Sequence, residues 1–260
     1  MSNGFLVRPL VPTLVSSPLA TPAAPTTEAD VLNDMIGVQY VSGRSAAGDA
    51  LDIDFGVATA IDTIALLQTN GAAGTWSILG ATTRSGLDTA PAIFGGTFAA
   101  GTTAPTSGRT HALAVLGAAA TWRWWRIGFA GLSAPIEIGR LVMGRRFQPE
   151  VNFSFGAALG VADLAPGEFS RRAVWLPGDG GKLRTIGLRW PWATKQEAEE
   201  QISTLMERVG NNGMVLLCTD PDANAQRQRR LYFGPLTGNL GMVWNVGQRF
   251  EWRADLRSVI

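Results

Sequence analysis

The stretch from residue 51 to residue 67 reads LDIDFGVATAIDTIALL and governs the interpretation of the first half of the chain. Over residues 51–56, apolar side chains alternate with Asp52 and Asp54. A period of two is typical of a β-strand with one buried and one solvated face. Residues 60–67 predict a second strand, so this half of the chain is expected to be β-rich.

Further strands and one short helix are predicted around this pair. Thr27 is a candidate N-cap for a helix that ends near Gly37, and residues 83–110 are expected to form a long loop with one or two weak strands. The other strands of this half are predicted at residues 75–79, 122–129 and 136–144.

The second half of the chain combines strands with the clearest helix signal. Thr194 and Glu197 form a capping-box pattern, and apolar residues recur on one face up to Gly210, which predicts a helix over about 194–209. A hairpin is predicted between residues 171–176 and 182–192, with its turn at residues 178–181. The remaining strands are expected at residues 150–155, 213–218, 230–233 and 248–256, with a glycine-rich loop after the first.

These patterns divide the chain into three segments. Residues 1–26 are proline-rich, and proline fixes φ and removes amide donors, so an extended arm outside the interior of any sheet is expected, with a disordered tail as the alternative. Residues 27–147 are predicted to form an all-β domain. Residues 148–260 are predicted to form a β-rich domain with one helix.

Composition excludes several classes of function. The 260 residues carry a formal net charge of +1, which argues against a general nucleic-acid-binding surface. A single cysteine excludes an internal disulfide and a thiolate zinc cage, and a single histidine excludes most histidine metal sites. Because prolines interrupt the apolar stretch 9–27, neither a secretory signal nor a membrane-spanning helix is expected there, and the product is expected to fold in the cytoplasm.

The patterns that would carry catalysis or metal binding are incomplete. Residues 178–182 resemble a phosphate loop without its first glycine and its Ser or Thr, so a turn is favoured. His111 lies in strand-like sequence, which favours a structural or exposed histidine. Asp220, Asp222 and Asn224 begin a calcium-loop pattern whose glycine and distal glutamate are missing, which favours a polar turn.

Three acids of the first half are candidates for a catalytic pair in glycoside hydrolysis, namely Asp52, Asp54 and Asp62. Asp52 and Asp54 share one face of their strand, opposite an apolar face. A solvated face is therefore the favoured interpretation. The sequence predicts no enzyme, no cofactor, and no catalytic or metal-binding residue.

Two clusters are candidates for an interface or for sugar stacking. Strand alternation places Trp122 and Trp124 on one face and Trp125 with Arg123 on the other, and flat indole rings suit pyranose rings, although packing in a core or between domains is favoured for each. The second cluster is the densest basic run of the chain, for which a solvated turn or a protein contact is favoured over nucleic acid. It consists of Arg227, Arg229 and Arg230.

Taken in order, the elements of the first half resemble the galactose-binding-like β-sandwich, a jelly roll also known as the discoidin type. The resemblance covers roughly residues 30–145 and rests on Leu51-Asp52-Ile53-Asp54-Phe55-Gly56, Ile61-Asp62-Thr63-Ile64-Ala65-Leu66, Asn70, Trp76, Trp125-Arg126-Ile127 and Ile138-Gly139-Arg140-Leu141. It implies a mainly β fold. No sugar-binding residue of that family can be transferred by position.

The second half, β-rich with one amphipathic helix, is similar to the tail-tube-like domain of bacteriophage distal tail and tail-tip proteins. The combination resembles a structural protein of a siphophage tail tip, although the ring domain usually comes first in that family. This resemblance implies a virion protein that is made in the host cytoplasm and forms a ring or collar of three or six copies. Its implied partners are the tail tube, the tape measure and the hub.

Three functions remain open on the sequence. The main one is a ring or collar subunit that contributes to tail assembly and host attachment. The alternative is a carbohydrate-binding module that recognises host surface glycans, and the third is a hydrolase of cell-wall or capsule sugars. Neither nucleic-acid sequence recognition nor membrane insertion is expected.

Overall fold

The computed structural model describes residues 3–44, 48–71, 73–98, 109–153, 157–165, 167–224, 226–238, 240–245 and 247–260. The chain separates into two compact units. The first contains Met1–Gln148 and Leu216–Leu231, and the second contains Pro149–Val215 and Tyr232–Ile260. Residues Leu216–Leu231 thus group with the first unit, whereas the sequence predicts the continuous segments 27–147 and 148–260.

The fold is mainly β, as predicted, with one main helical segment. The strands are β1 (Phe5–Val7), β2 (Leu14–Ser16), β3 (Tyr40–Val41), β4 (Asp49–Thr69), β5 (Thr75–Ala81), β6 (Ala92–Thr97), β7 (Thr110–Ala130), β8 (Glu137–Ile138), β9 (Arg140–Gly144), β10 (Arg146–Phe147), β11 (Ala158–Asp163), β12 (Glu168–Phe169), β13 (Trp175–Leu176), β14 (Lys182–Thr194), β15 (Met214–Cys218), β16 (Leu231–Thr237), β17 (Met242–Trp244) and β18 (Arg249–Ser258). The helical segments are the 3₁₀ turns Glu28–Leu32, Ser85–Asp88 and Arg227–Arg230, the π-helical segment Glu197–Ile202 and the α-helix α1 (Ser203–Val209).

The first unit is built on an antiparallel sheet in the order β2-β4-β7-β5-β6, and β9 also pairs with β4. The strands predicted at 51–56 and 60–67 are parts of the single 21-residue strand β4. The strand predicted at 122–129 is the end of β7, which is equally long. Part of the loop predicted at 83–110 forms a 3₁₀ turn and β6, and residues 99–108 lie outside the described residues.

The inner face of this sheet forms the core of the first unit. Leu51 and Ile53 of β4 are fully buried there, together with Trp125 and Ile127 of β7. The opposite side of the core is closed by the 3₁₀ turn after Thr27 and by the β3–β8 pair, giving a sandwich-like arrangement. Thr27 precedes that turn as predicted, but the turn ends at Leu32, well before Gly37.

Part of the N-terminal segment 1–26 is built into a sheet and is not a peripheral arm. Phe5–Val7 are buried, and β1 pairs with Arg146–Phe147 on one side and with residues 216–218 on the other. The prediction that residues 1–26 stay out of a sheet interior is wrong for this strand, because all three residues precede the first proline, Pro9, and keep their amide donors. Further along, β2 pairs with β4 at the edge of the main sheet.

The second unit contains an antiparallel sheet in which β18 pairs with β14, β16 and β17, and β14 pairs with β11. Trp190 and Trp252 face each other in register and stack with their ring centroids 4.9 Å apart. The helical segment packs its apolar face inward, as predicted. Its N-terminus is held by the capping pair, because the backbone N–H of Thr194 donates to Glu197 Oε2 (2.7 Å) and the N–H of Glu197 donates to Thr194 Oγ1 (3.2 Å).

Two strand predictions in the second unit are wrong. The strand 171–176 does not pair with 182–192; instead β13 pairs with β12, while β14 pairs with β11 and β18. The glycine-rich segment that was expected to be a loop supplies β11. No strand forms over residues 150–153, and residues 154–156 lie outside the described residues.

Glu251 joins two strands of this sheet electrostatically. Arg189 of β14 donates from Nε and Nη2 to its two carboxylate oxygens (2.8 and 2.6 Å), and Arg253 Nε donates to Oε1 (2.7 Å). The hydrogen bond from Arg189, followed by that from Arg253, lowers the pKa of Glu251 to about 2. A lowered pKa means that this carboxylate stabilises the folded state when ionised.

We expect the Glu251→Gln substitution to lower the urea midpoint at pH 7. The difference from the unmodified chain should persist down to the ordinary glutamate pKa of 4.5 and disappear as the pH falls towards 2, because both proteins then lack the charge. Urea titrations at several pH values measure this. Glu207→Gln, at an exposed helical position, is the matched control, and an equal, pH-independent loss in both variants would contradict the ion-pair account.

Candidate functional site

The outer face of the main sheet in the first unit carries a shallow trough. A row of small side chains crosses four strands at one level, because Ala50 pairs with Gly128, Gly128 with Ser77, and Ser77 with Gly95. The depression has a volume of about 660 Å³. Its depth depends on Gly128, where a Cβ atom would lie 2.9 Å from Ser77 Oγ.

Polar groups border the row of small side chains on both sides. On one side, Thr75 pairs with Ala130 and with Thr97, which places two hydroxyl groups and a methyl group at the rim. On the other side, Arg126 pairs with Leu79. The trough therefore runs across the strands between a hydroxyl-bearing rim and a guanidinium-bearing rim.

A network of ion pairs forms the guanidinium-bearing rim. Arg126 Nε and Nη2 donate to the two oxygens of Asp52 (2.6 and 3.0 Å), and its Nη1 donates to Asp88 (2.7 Å). Arg84 Nε also donates to Asp52, at 3.2 Å. The hydrogen bond to Asp52 is the main cause that raises the pKa of Arg126 above its ordinary value. Two acids balance two arginines, so this rim is electrically neutral.

A second ion pair lies one level further along the same face. Arg123 Nε and Nη2 donate to the carboxylate of Asp54 (2.8 and 2.9 Å), and the backbone N–H of Gly56 donates to Asp54 Oδ1 (2.7 Å). The hydrogen bond from Arg123 is the main reason why the pKa of Asp54 lies below its ordinary value. The Arg123 guanidinium also sits over the partly exposed ring of Trp124, 5.7 Å from its centroid.

These contacts correct the prediction of a solvated acidic face. Asp52, Asp54 and Asp62 are all buried, and Asp52 has no exposed surface. Asp62 Oδ1 accepts hydrogen bonds from Thr63 Oγ1 and from the backbone N–H of Arg146, both at 2.9 Å. The burial of the three carboxylates is compensated by arginines and hydroxyl or amide donors, which makes them structural groups.

The two tryptophan candidates lie in different environments. Trp122 packs against the buried cluster to which Trp125 belongs. Its indole lies directly over Gly80, where an added Cβ atom would lie only 2.2 Å from Trp122 Cδ1. The prediction that Trp122 and Trp124 share a face is wrong, because Trp122 packs against the buried cluster, next to an irregularity in the β4–β7 pairing, whereas Trp124 does not belong to that cluster. Packing in the core, which the sequence favours for each indole, is therefore observed for Trp122. Trp124 lies on the outer face.

The arginine candidates occupy a 3₁₀ turn in the first unit. Arg227 is only 6% exposed, which corrects the prediction of a solvated turn for this residue. Its Nε and Nη2 have no hydrogen-bond partner within the described part of the chain, and burial lowers its pKa. Arg230 forms an ion pair with Asp220, whereas Arg229 is exposed. The structure does not bring these arginines to the trough.

His111 is a structural residue of the first unit. Its Nδ1 accepts a hydrogen bond from the backbone N–H of Gln68 at 3.1 Å. The side chain of Gln228 pairs with its backbone in both directions, accepting from the N–H (2.7 Å) and donating to the carbonyl (2.9 Å). This pairing helps to explain why residues 216–231 belong to the first unit.

The remaining sequence candidates form turns. The backbone N–H of Asp222 donates to Asp220 Oδ1 (3.0 Å), and that of Gln226 donates to Asn224 Oδ1 (2.9 Å), as expected for a polar turn. Within the described ranges, no group of three or more His, Cys, Asp or Glu side chains is arranged to hold a metal ion. Also within those ranges, no helix has the length and apolar character needed to cross a membrane.

Neither a protein-family profile nor a curated protein sequence matches this chain. Solved structures that are similar to part of it include the family 32 carbohydrate-binding module of AlyQ, solved with 4,5-unsaturated mannuronic acid (16% identity, TM-score 0.40, 52% of this chain and 96% of that one). Others are chitosan-binding module 1 of a Paenibacillus chitosanase/glucanase (9%, 0.41, 51% and 94%) and a family 32 module of a Clostridium perfringens family 31 glycoside hydrolase (14%, 0.39, 52% and 96%). TM-scores at this level do not by themselves assign a fold or a function.

Sequence reasoning missed the trough entirely. Its floor consists of glycine, alanine and serine, which carry no chemical signature when they are scattered over four strands. Only the strand register aligns them. The one residue that could have indicated the polar rim of the trough is Arg126. It lies opposite Asp52 in the adjacent strand, and an arginine and an aspartate in such a pair form an ion pair on that face.

We expect Asp52→Asn to lower the free energy of unfolding by about 1.5–3 kcal/mol, the range for hydrogen bonds to charged groups, because two guanidinium groups lose their anionic partner. Asp88→Asn, at a carboxylate that is 67% exposed, should cost less than about 1 kcal/mol. Chemical denaturation of both variants tests the ranking. Equal losses would show that the burial of Asp52 does not matter.

Proposed function

We propose that the first unit is a non-catalytic carbohydrate-binding module whose ligand lies in the trough. The observation that carries this proposal is the row Ala50–Gly128–Ser77–Gly95, which opens a channel across four strands. A channel open at the surface suits an extended chain of sugar rings, whose C–H faces can pack on glycine and alanine. The hydroxyl groups at its rim both donate and accept hydrogen bonds, as sugar hydroxyls do.

The electrostatics of the trough favour a neutral or weakly charged glycan over nucleic acid. Arg126 already donates to Asp52 and Asp88, so it offers little uncompensated positive charge to a phosphate backbone.

Trp124 provides a second element of the proposed glycan surface. It lies on the outer face four residues from Gly128 along β7, which corresponds to about 13 Å at 3.3 Å per residue. This separation runs along the strand, past the Arg126 rim and across the axis of the trough, so the indole is placed to contact a branch of the glycan and not the chain that fills the trough. Host surface glycans are the proposed ligand class.

Gly128→Val should abolish or weaken glycan binding at least about tenfold, because its side chain would fill the floor of the trough and collide with Ser77. Gly117→Val is the matched control on the same strand, where a Cβ would meet no atom within 4 Å. A glycan array followed by calorimetry with the best ligand measures the effect. The proposal fails if the unmodified chain binds no glycan, or if both variants bind equally well.

A second proposal concerns the second unit, and it rests on the amount of apolar surface exposed there. Large apolar side chains are exposed on several of its strands, and a surface rich in them favours contact with another protein. The exposed residues are Leu159, Val161, Leu164, Phe169, Val174, Trp175, Leu176, Trp192, Val243 and Trp244. This supports a protein that assembles with others, and we propose a structural component of a tailed-phage virion, a ring or collar subunit near the tail tip.

A virion component is expected to remain attached to purified phage particles. Density-gradient particles from the source culture, probed with an antibody against this chain, should retain it after high-salt washing. Recovery of the chain only in the soluble fraction would contradict the virion proposal and leave the glycan proposal untouched.

A further inference from the structure

The second unit carries a free-standing β-hairpin formed by β12 and β13. Phe169 pairs with Trp175, and the turn is closed by a hydrogen bond from the N–H of Ser170 to the carbonyl of Val174 (2.8 Å). Within the described strands, β12 and β13 pair only with each other. A hydrogen bond from the N–H of Leu164 to the carbonyl of Gly181 (3.0 Å) extends the β11–β14 ribbon by one pair of residues on the side from which the hairpin follows in the sequence.

The hairpin exposes its largest side chains. Phe169 is 68% exposed and Trp175 is 52% exposed, and their ring centroids lie 4.9 Å apart. Val174 and Leu176 are exposed beside them. An isolated two-stranded hairpin is marginally stable in water, so an apolar hairpin of this kind gains stability when another surface covers it.

The charges at the apex distinguish a protein surface from a lipid bilayer. Arg171 and Arg172 occupy the turn itself and are exposed, beyond the aromatic pair. A hairpin that entered a membrane by its tip would carry two guanidinium groups deepest, which is costly. A protein surface that offers carboxylates to the apex and an apolar concavity to the rings fits this order of groups better.

Such a surface exists at the far end of the same ribbon. A trough of about 310 Å³ lies across β11, β14 and β18, and its lining includes Gly160, Gly187 and Leu159. Asp255 stands at this trough, and its exposed carboxylate has neither a hydrogen bond nor an ion pair with the described residues. The small floor residues complement the aromatic pair, and Asp255, which shares the lining with Arg257, offers a carboxylate to the arginines of the hairpin.

We propose that the hairpin of one copy docks into the trough of a second copy. The trough lies at the Ala158 end of the β11–β14 ribbon, and the hairpin follows the Asp163 end in the sequence, so the two surfaces belong to opposite ends of this ribbon. Because the two complementary surfaces differ, the contact is heterologous and repeats from copy to copy until a ring closes or a filament grows. This inference deepens the assembly proposal by naming the contact.

The test is the mass of the full chain by light scattering over a concentration series. The unmodified protein should rise from 27.6 kDa to multiples of that mass. Trp175→Ser should weaken the association at least about 30-fold, as expected for an aromatic hot spot, without changing the circular dichroism spectrum. Trp244→Ser, which removes an indole elsewhere in the second unit that is 66% exposed against 52% for Trp175, should leave the association unchanged.

A charge exchange tests the pairing itself. Asp255→Arg alone, and Arg171→Asp with Arg172→Asp, should each weaken self-association at least about tenfold, and the combined variant should recover it. A chain that stays monomeric at all concentrations would overturn the inference, as would association that none of these variants alters. Sedimentation with vesicles of phosphatidylcholine and phosphatidylserine that requires Trp175 would overturn it in favour of a lipid partner.

The docking contact and the virion proposal fail separately. Self-association through the hairpin without attachment to particles would leave the contact standing and remove the virion role. Attachment to particles by a chain that does not self-associate would leave the virion role standing and remove the hairpin contact.

Discussion

The antiparallel pairing of β4 with β7 organises the first unit. The two strands are each 21 residues long, and their register places Leu51 opposite Ile127 and Asp52 opposite Arg126. The alternation of side chains between the two faces of these paired strands therefore produces both the apolar core and the ion pairs of the outer face. The trough depends on the same register, because Gly128 falls on the outer face between the positions occupied by Arg126 and Ala130.

The ion pairs explain how acidic residues can be buried on a face that appears solvated in the sequence. Asp52 and Asp54 lie beneath the arginine side chains that bind them, so the guanidinium groups and their aliphatic stems face the solvent instead. Alternation identifies the face on which a residue lies. It does not show whether a long side chain from the next strand covers it, since that depends on register.

The sequence was most informative where the signal is local. Period-two alternation located β4, β5 and the end of β7, and the Thr194–Glu197 capping pattern located the helical segment. The sequence was misleading where the structure of a segment depends on pairing with strands that are distant in the chain. Phe5–Val7 become a central strand because residues 146–147 and 216–218 flank them, and Trp175 pairs with Phe169 although the glycines at 178–181 looked like the hairpin turn. The trough could not be foreseen, since its small residues acquire meaning only when four strands are aligned.

The exposed aromatic residues of the two units differ in geometry, and this separates their roles. A pyranose ring stacks on a flat ring face, and Trp124 is a partly exposed indole, with the Arg123 guanidinium over its ring, on a sheet surface that also carries hydroxyl groups. In the hairpin, the rings of Phe169 and Trp175 meet at 64°, edge to face, so each restricts access to the other. Such a pair forms a compact apolar knob instead of a platform. A knob flanked by two arginines matches a protein concavity with a carboxylate, which is why we propose assembly for the hairpin and glycan binding for the outer face of the first unit.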